Sequence, residues 1–385
     1  MLKIELCDYD RCTGCRACGD FCPKNCITYI ENDEGFCRPL INRDICICCG
    51  KCMKICPIIS PPGNNNQIAP NAYHAYSLDK GIVKNSSSGG IFTELSKLVI
   101  SQDGVVCGVT QEHKTLKTKN IMVYSIDELS RLKGSKYVQS DASKIYITAY
   151  RALREGKCVL FSGTPCQIAA MKNIAKIHNL NNIYLVEVIC HGVPSHKYFD
   201  EYISKLGNSE VCSFLFRNNR IWDFDTFYYD RSNNRHWLLG SKDFYMKSFL
   251  YGEIFQKVCY SCPFAQLPRF ADITLGDFWG VEKCVKSKDI NKSGNSLVLI
   301  NNGKGYQLFN DISGQIFSNQ TSLTNACKRN HNIYEPSSYK TQRGTIYQDM
   351  GRLTLQELAS KYNHSFSFRN YLGFIKRRIK EFLLT

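Results

Sequence analysis

The chain has 385 residues, enough for a full-sized core beside a small module, and contains 21 cysteines. It shows neither a secretion signal nor an apolar run long enough to cross a bilayer. We therefore expect a reducing, cytoplasmic environment in which the cysteines are metal ligands or core residues. The net charge of +15 would suit nucleic acid or acidic lipid, but no nucleic-acid-binding motif is present.

Two cysteine runs of the same spacing come first along the chain. Each has the pattern Cys-x2-Cys-x2-Cys-x3-Cys-Pro, which is typical of a bacterial ferredoxin in which the last cysteine of each run binds the other 4Fe-4S cluster. The spacing predicts one cluster on Cys12, Cys15, Cys18 and Cys56, and a second on Cys46, Cys49, Cys52 and Cys22. Structural zinc is the alternative, although a zinc ribbon needs only two Cys-x2-Cys pairs.

A hairpin is predicted between the two runs, from residues 27–30 and 37–41. The composition then changes to a Pro- and Asn-rich stretch that cannot hold a helix or a central strand. We therefore predict a ferredoxin domain (1–60), a linker (61–72), a larger domain (73–345) and a tail (346–385). The tail from Phe368 to Leu384 is basic and amphipathic, which suits the inner face of a membrane, a partner protein, or packing on its own domain.

The larger domain alternates between predicted strands and helices. Strands are predicted at 73–77, 104–109, 121–124, 158–161, 183–189 and 297–300, and helices at 90–100, near 143–154 and from Pro165. This order predicts a mixed-sheet α/β domain after the small ferredoxin-like domain, so the fold class is α+β or α/β. Short aromatic-rich strands from 211 to 239 are predicted to extend the sheet in antiparallel fashion.

Four cysteines of the larger domain are candidates for a third metal site. Two follow neighbouring predicted strands, whose carboxyl ends meet at one sheet edge, and two form a Cys-x2-Cys pair: Cys166, Cys190, Cys259 and Cys262. Taken singly, a cysteine at a strand end also fits a buried core residue, and a Cys-x2-Cys pair also fits a redox-active pair or half of a zinc site. The other nine cysteines have no ligand spacing and are predicted to pack: Cys7, Cys26, Cys37, Cys48, Cys107, Cys158, Cys212, Cys284 and Cys327.

Two further stretches could bind a dinucleotide. Residues 85–90, Asn-Ser-Ser-Ser-Gly-Gly, lead into a predicted helix whose free N-H groups suit a pyrophosphate. Residues 133–139, Lys-Gly-Ser-Lys-Tyr-Val-Gln, add cations and an aromatic ring. Neither is a dinucleotide fingerprint or a P-loop, so composition alone favours a capping loop and a solvated basic turn.

Six motifs in order resemble the family of coenzyme F420 hydrogenase/dehydrogenase beta subunits. They are Ser-Ser-Gly-Gly, Lys-Gly-Ser-Lys-Tyr-Val, Gly-Thr-Pro-Cys-Gln, Cys-His-Gly-Val-Pro, Cys-x2-Cys-Pro-Phe and the stretch from Ala271 to Trp279. The resemblance implies a third 4Fe-4S cluster on the four cysteines named above. It also implies FAD contacts at Ser87, Ser88, Gly89, Gly90, Lys133, Ser135, Lys136, Tyr137, Val138, Gln139 and Thr164.

The function implied is an FAD- and 4Fe-4S-dependent oxidoreductase acting on an organic substrate or a deazaflavin. Its redox partner would be ferredoxin, a reduced deazaflavin or a partner subunit, and family members of this length are common in surface-polysaccharide gene clusters. An electron-input subunit of a larger complex and a zinc-binding scaffold for glycan assembly are the alternatives. No catalytic acid is assigned, since His191 follows a predicted ligand and Asp272 and Asp277 also fit structural roles.

Overall fold

The computed structural model of the chain describes residues 4–207, 210–217, 222–238 and 243–362. Its strands are β1 Ile27–Glu31, β2 Cys37–Ile41, β3 Asn71–Ser77, β4 Val105–Gln111, β5 Thr118–Val123, β6 Val159–Gly163, β7 Ile183–Val188, β8 Val211–Leu215, β9 Thr226–Asp230, β10 Arg235–Leu238, β11 Ile273–Asp277, β12 Ser296–Ile300 and β13 Ile316–Thr321. The tail segment predicted from Phe368 lies outside the described residues.

The α-helices in the described part of the chain lie on the sheet faces and around the smaller units. They are α1 Ala17–Asp20, α2 Lys51–Ile55, α3 Lys80–Lys84, α4 Ile91–Ser101, α5 Ile145–Arg154, α6 Pro165–Ile177, α7 His196–Ser204, α8 Phe244–Leu250, α9 Gly303–Asn310, α10 Leu323–Cys327, α11 Arg343–Met350 and α12 Leu355–Lys361. No helix among these residues has the length and apolar composition needed to span a bilayer.

An eight-stranded mixed sheet forms the centre of the molecule, in the order β13-β3-β12-β11-β7-β6-β4-β5. Strands β4, β6, β7 and β11 run parallel in its middle, and antiparallel strands complete both edges. The carboxyl ends of β6, β7 and β11 therefore lie side by side. In α/β sheets this edge is where ligands bind.

Helices cover both faces of the large sheet. On one face α5 and α6 pack through Tyr146, Ile168 and Met171, while on the other α4 packs through Leu95 and Val99. The apolar side chains recur every three or four residues along these helices, which gives each helix one core-facing stripe. The predicted mixed α/β class is confirmed.

The amino-terminal unit consists of two short helices, α1 and α2, and the predicted hairpin of β1 and β2. Ala17 and Ile55 are buried in the same core cluster as α5 and α6. The division into domains stays a prediction, but the structure shows that this unit shares apolar surface with the large sheet.

Two details differ from the sequence prediction. The aromatic strands β8, β9 and β10 are antiparallel, as expected, but form a separate three-stranded sheet instead of extending the large one. The predicted linker overlaps β3, which begins at Asn71. The preceding residues are tied down because Asn64 donates to Pro268 O (2.7 Å) and Asn66 donates to Ala271 O (2.8 Å). Side-chain amides thus anchor a stretch that its composition marked as a linker.

Candidate cofactor sites

The predicted ligands of the first cluster lie together between α1 and α2. Burial, followed by the charges of Cys12 and Cys56, raises the pKa of Cys18 to about 12. Burial also raises the pKa of Cys15, and Cys18 and Cys56 contribute to that rise. Cys56 comes from the second run, so the structure brings together the set that the crossed ferredoxin pattern requires.

A further thiol lies beside this set. A hydrogen bond with Cys7 is the largest cause that lowers the pKa of Cys56, to about 6. Cys7 was predicted only to pack, and no ligand spacing distinguishes it in the sequence. Its position was therefore not accessible from the pattern of cysteines.

The predicted ligands of the second cluster line one cavity. Its empty volume is about 330 Å³, and its cysteines are Cys22, Cys26, Cys46, Cys49 and Cys52. Four of these are the predicted ligands. Because they converge on one space from both cysteine runs, the cavity has the donor set that a 4Fe-4S group requires.

The four cysteines of the predicted third site also converge. Cys166 is the second residue of α6, Cys190 follows β7 by two residues, and the other two lie at the 3-10 helix Lys257–Ser261. Burial raises the pKa of Cys259, and the charges of Cys190, Cys262 and Cys166 add to the rise. Four thiols from three parts of the chain thus face one another at the carboxyl edge of the parallel strands.

The first and third sets are neighbours. After burial, the charge of Cys166 is the next cause that raises the pKa of Cys15. Tyr146 lies near both sets: it is 0% exposed, and burial followed by the charges of Cys15 and Cys166 raises its pKa. Its hydroxyl has no hydrogen-bond partner among the described residues. A buried donor without a partner is costly, so this hydroxyl fits a sulfur acceptor that belongs to a cofactor.

Arg269 gives the third set a second donor of this kind. Its side chain is 0% exposed, and it bonds to Glu187 (2.5 Å) and to Phe264 O (3.0 Å), yet its second terminal nitrogen has no partner among the described residues. Burial raises the pKa values of Cys190 and Cys262, and the positive charge of Arg269 opposes that rise. A fixed cation beside four thiols suits an anionic cluster.

A site for a single metal ion needs a different arrangement of ligands from a 4Fe-4S cluster. Within the described ranges, no group of three or more His, Cys, Asp or Glu side chains is arranged to hold one metal ion. A 4Fe-4S cube binds each thiolate through a different iron, so its ligand sulfurs do not meet around a single centre.

The two stretches predicted to bind FAD meet in space. The hydroxyl of Ser87 accepts a hydrogen bond of 2.8 Å from the N-H of Ser135. The Ser87 loop leads into helix α4, which begins directly after Gly90 and whose first N-H groups have no side-chain cap. Ser87 and Ser135 are 48 residues apart in the sequence, and the fold brings their two segments into contact.

An open cavity lies beside the Ser135 turn. It has an empty volume of about 1140 Å³ and is lined on one side by Lys133, Gly134, Ser135 and Lys136 and on the other by residues 213–217. Lys119 and Arg131 add cationic groups to the lining, whereas the side chains of Phe214 and Phe216 are 3% and 1% exposed and pack into the core. A large cleft with several cations suits an anionic dinucleotide.

Several predicted FAD contacts have other roles in the structure. The ammonium of Lys136 donates to Val109 O (2.9 Å), Leu132 O (3.1 Å) and Lys133 O (2.8 Å), while burial lowers its pKa to about 7. Val138 is a core residue, and the Gln139 amide donates to Thr13 O (3.3 Å) in the amino-terminal unit. Lys133 is therefore the better placed of the two lysines to reach a ligand.

Gly89 and Thr164 have structural roles: one allows a close approach of backbone segments and the other caps a helix. A Cβ at Gly89 would lie 2.5 Å from Ala75 O and 2.9 Å from Ser296 N, so only glycine fits against β3 and β12. Thr164 caps α6 in a reciprocal pair with Gln167, and its hydroxyl lies 3.1 Å from Cys166 Sγ. The hydroxyl can thus donate to that thiolate.

Sequence reasoning missed a polar and aromatic cluster at the end of β11. Asp277 accepts from Arg217 (2.9 Å) and from the Trp222 indole (2.7 Å), and Arg217 also donates to the Tyr137 hydroxyl (3.1 Å). Trp222 stacks on Trp279 with ring centroids 4.8 Å apart. Asp277 and Trp279 belong to a motif that the sequence did show, but their partners come from the separate β8–β10 unit.

The structure shows the surroundings of two candidate acid-base residues, His191 and Asp272. Burial, with a contribution from His331, lowers the pKa of His191 to about 4, so this imidazole is neutral at physiological pH. Asp272 accepts from the N-H of Leu185 (2.8 Å) and from the amide of Asn302 (2.9 Å), which makes it a structural residue between strands.

The larger part of the chain matches a known family. The family description "Coenzyme F420 hydrogenase/dehydrogenase, beta subunit" matches the chain at residues 72–146 for its N-terminal part and 156–322 for its C-terminal part. The chain belongs to this family. The two matches cover more than half of the sequence and include the Ser87 loop, the Ser135 turn and all four cysteines of the third set.

The individual relatives have low sequence identity to this chain. The chain is 22% identical over 233 residues to a subunit of the F420H2 dehydrogenase of Methanosarcina mazei, covering 57% of this chain and 65% of that protein. An uncharacterized protein of Methanocaldococcus jannaschii is 27% identical over 209 residues, covering 46% of this chain and 56% of its own length. The matches thus span less than two thirds of these relatives.

Two further similarities concern a short segment and the fold. Ferredoxin-type protein NapF of Haemophilus influenzae is 43% identical over 44 residues, which is 11% of this chain and 25% of that protein. A chain of the F420-reducing NiFe hydrogenase complex from Methanosarcina barkeri aligns with a TM-score of 0.47 and 17% identity, covering 76% of this chain and 92% of that one.

Proposed function

We propose that the protein is an iron-sulfur flavoprotein oxidoreductase that passes electrons between ferredoxin-type 4Fe-4S clusters and FAD, and so reduces or oxidises an organic substrate or a deazaflavin. The convergence of Cys166, Cys190, Cys259 and Cys262 carries this proposal, because four thiols from three separate segments meet directly beside Cys15 of the first set. Family membership supports it, and so does the short similarity to a ferredoxin-type protein.

Each group would supply a distinct chemistry. Clusters exchange single electrons, whereas a flavin exchanges either one electron or a hydride equivalent. The chain's own residues would position these groups: Cys15 and Cys166 are close enough for their charges to interact, and the buried Tyr146 lies near both. A dry, close junction of this kind favours electron transfer between two clusters.

We place FAD in the cleft between the Ser135 turn and residues 213–217. The ammonium of Lys133 would meet the pyrophosphate, the Ser87 loop that leads into α4 would lie beside it through its contact with Ser135, and residues 213–217 would line the opposite side of the cleft. Lys136 would act indirectly, since its three carbonyl bonds fix the turn that carries Lys133.

A second candidate function is electron input within a larger complex. The observation that favours it is that one relative is named as a subunit of F420H2 dehydrogenase. In this case electrons would leave through the amino-terminal unit to a partner protein. Whether F420 itself is used would be decided by anaerobic mixing with its reduced form and, separately, with reduced ferredoxin.

The composition of the protein purified without oxygen tests the proposal. Iron, acid-labile sulfide, zinc and flavin are measured on the same sample. We expect about twelve irons with equal sulfide and about one FAD per chain. Stoichiometric zinc without sulfide or flavin would instead support a scaffold and refute the redox proposal.

The FAD position is tested by Lys133→Glu, which places a carboxylate beside the expected pyrophosphate. We expect flavin content to fall by at least about tenfold, since charge reversal at a phosphate contact removes a charge-assisted bond and adds repulsion. Iron content is expected to stay unchanged. The matched control is Lys80→Glu, at an exposed lysine outside the cleft. Full flavin retention in Lys133→Glu would place FAD elsewhere.

A further inference from the structure

One predicted cluster ligand lies at the surface of the molecule. Cys49 is exposed, whereas the other predicted ligands are buried or half-buried. Pro23, Lys24, Ile47 and Lys51 are also exposed, and they line the cavity of the second set together with Cys49. We call these five residues the outer face. The second set of thiols therefore has a direct contact with solvent.

The three sets of thiols form a connected series. Burial raises the pKa of Cys18 in the first set to about 12, and the charge of Cys52 in the second set is among the smaller causes. Burial also raises the pKa of Cys15, and the charge of Cys166 in the third set is the next cause. The first set is thus a neighbour of both other sets. An electron that enters at the outer face would reach the second set first.

The positive charge of the outer face continues onto the adjacent helix ends. Lys54 is exposed and lies three residues after Lys51 on α2, so the two ammonium groups share one side of that helix. Burial, followed by the charges of Lys51 and Arg154, lowers the pKa of His178 at the end of α6. Arg154 is exposed at the end of α5 and therefore lies near the same imidazole as Lys51.

Exposed apolar side chains accompany these cations. Ile47 is 56% exposed and Ile45 is 47% exposed, one on each side of the predicted ligand Cys46 in the sequence. The ring of Phe21 lies 5.7 Å from that of His178, which joins the second cysteine region to the end of α6. Apolar side chains with charged groups around them are the usual make-up of a protein-docking surface.

The charge of this surface selects the kind of partner. The exposed carboxylates next to it in the sequence are those of Asp44 and Glu155, and they are outnumbered by the cations named above. A second copy of the chain would bring the same cations face to face, and the chain as a whole has a net charge of +15. An acidic protein is therefore the complementary partner.

We propose that the outer face is the docking site of an acidic iron-sulfur carrier protein that exchanges single electrons with the second cluster. The proposal rests on the proposed function and assigns its redox partner a place on the molecule. In delivery, the cluster of the carrier loses one electron and the second cluster gains it, and no bond forms or breaks. Lys24, Lys51 and Arg154 would steer the approach of the carrier, and Ile47 would be covered in the complex.

The test measures the dissociation constant for an oxidised acidic ferredoxin by titration calorimetry without oxygen, at about 10 mM salt to limit screening. We expect Lys51→Glu/Arg154→Glu to raise this constant at least about tenfold, because two attractive contacts become repulsive. The matched control is Lys80→Glu/Lys328→Glu, which makes the same change of charge at exposed lysines of α3 and after α10. The control should change the constant by less than about twofold.

Iron and sulfide are measured on every variant, so that cluster loss is not mistaken for weaker docking. If Lys51→Glu loses iron, Arg154→Glu alone, which does not line the cavity, is expected to raise the constant about threefold. A cluster-loaded wild type that does not bind the ferredoxin would overturn the proposal, and so would equal binding by the double variant and its control. Tighter binding of the wild type to vesicles of anionic lipid than to the ferredoxin would also overturn it. Failure of the proposed function is distinguishable, because the wild-type protein would then lack iron, sulfide and flavin.

Discussion

Tyr146 lies near thiols of both parts of the molecule. It lies on α5 and stacks on Phe161 of β6 with ring centroids 5.5 Å apart. Its hydroxyl has no partner among the described residues and is close enough to Cys15 and Cys166 for their charges to raise its pKa. Every heavy atom of the side chain is buried. A hydroxyl in this setting is stabilised when it donates to a cluster sulfur, and such a bond favours the more negative, reduced cluster.

Replacing Tyr146 by phenylalanine tests this role. Tyr146→Phe removes the donor and keeps the ring, so we expect the reduction potential of the first or third cluster to fall by on the order of tens of millivolts. The potentials are measured by a redox titration followed by electron paramagnetic resonance. Tyr150→Phe, one turn further along α5, is the control and should leave all potentials unchanged. Unaltered potentials in Tyr146→Phe would show that the hydroxyl contacts no cluster.

Helix α5 shows how one element depends on a residue far away in the sequence. Its first residue follows Lys144, which adopts a left-handed conformation and gives no side-chain cap. The carboxylate of Asp20, at the end of α1, accepts from the N-H groups of Lys144 (2.7 Å) and Tyr146 (3.1 Å). The amino-terminal unit therefore caps the helix that carries Tyr146.

Removing this cap from a distant segment should lower the stability of the folded protein. We expect Asp20→Ala to lower the free energy of unfolding by about 1–2 kcal/mol, as for other helix caps, and Asp20→Asn to cost less because its amide oxygen still accepts. Thermal unfolding of the iron-loaded protein, followed by circular dichroism, measures the difference. Iron is quantified alongside, so that cluster loss is not mistaken for cap loss. Equal stability of Asp20→Ala and the wild type would show that the cap is dispensable.

Elements whose pattern is local were predicted well from the sequence. The apolar strand Val159–Gly163 and the following α6, with Thr164, Pro165 and Gln167 at its start, lie where their composition places them. Hydrophobic periodicity and capping residues act over a few positions, so a sequence window contains the whole signal. The convergence of Cys166 and Cys190 followed from the same logic, because parallel strands bring their carboxyl ends together.

Features that depend on contacts between distant segments could not be predicted from the sequence. Nothing near β8–β10 shows whether these strands extend the large sheet or form their own, because strand pairing is decided by long-range packing. The Asp277–Arg217 pair and the cap from Asp20 each join residues from separate segments. Cys26 escaped notice because its closeness to Cys22 arises from a turn with a positive φ at Asn25.

Across the whole molecule, the amino-terminal unit is fixed to the larger part of the chain by buried polar contacts as well as apolar ones. The guanidinium of Arg343, which is 1% exposed, pairs with both oxygens of Glu34. Gln256 donates to Cys12 O at 2.7 Å, next to the first set of thiols. These contacts keep Cys15 beside Cys166, which is the junction that the proposed electron transfer needs.

Loss of the Arg343 contact should loosen this docking. Arg343→Met leaves Glu34 without its partner. The charge-assisted hydrogen bonds that are lost contribute about 1.5–3 kcal/mol, so the fraction of molecules in which the amino-terminal unit is undocked should rise at least about tenfold. Limited proteolysis between residues 58 and 70 reports the opening. Arg352→Met, at an exposed arginine of the same region, is the control. An unchanged cleavage rate in Arg343→Met would mean that other contacts hold the unit in place.

We propose above that the larger part of the molecule holds its own cluster beside those of the amino-terminal unit. The most direct measurement is the iron and sulfide content of Cys166→Ala, purified without oxygen, with Cys158→Ala as a control at a cysteine outside the third set. We expect a fall from about twelve irons to about eight, while the spectrum of the two amino-terminal clusters persists. An iron content equal to that of the wild type would contradict it.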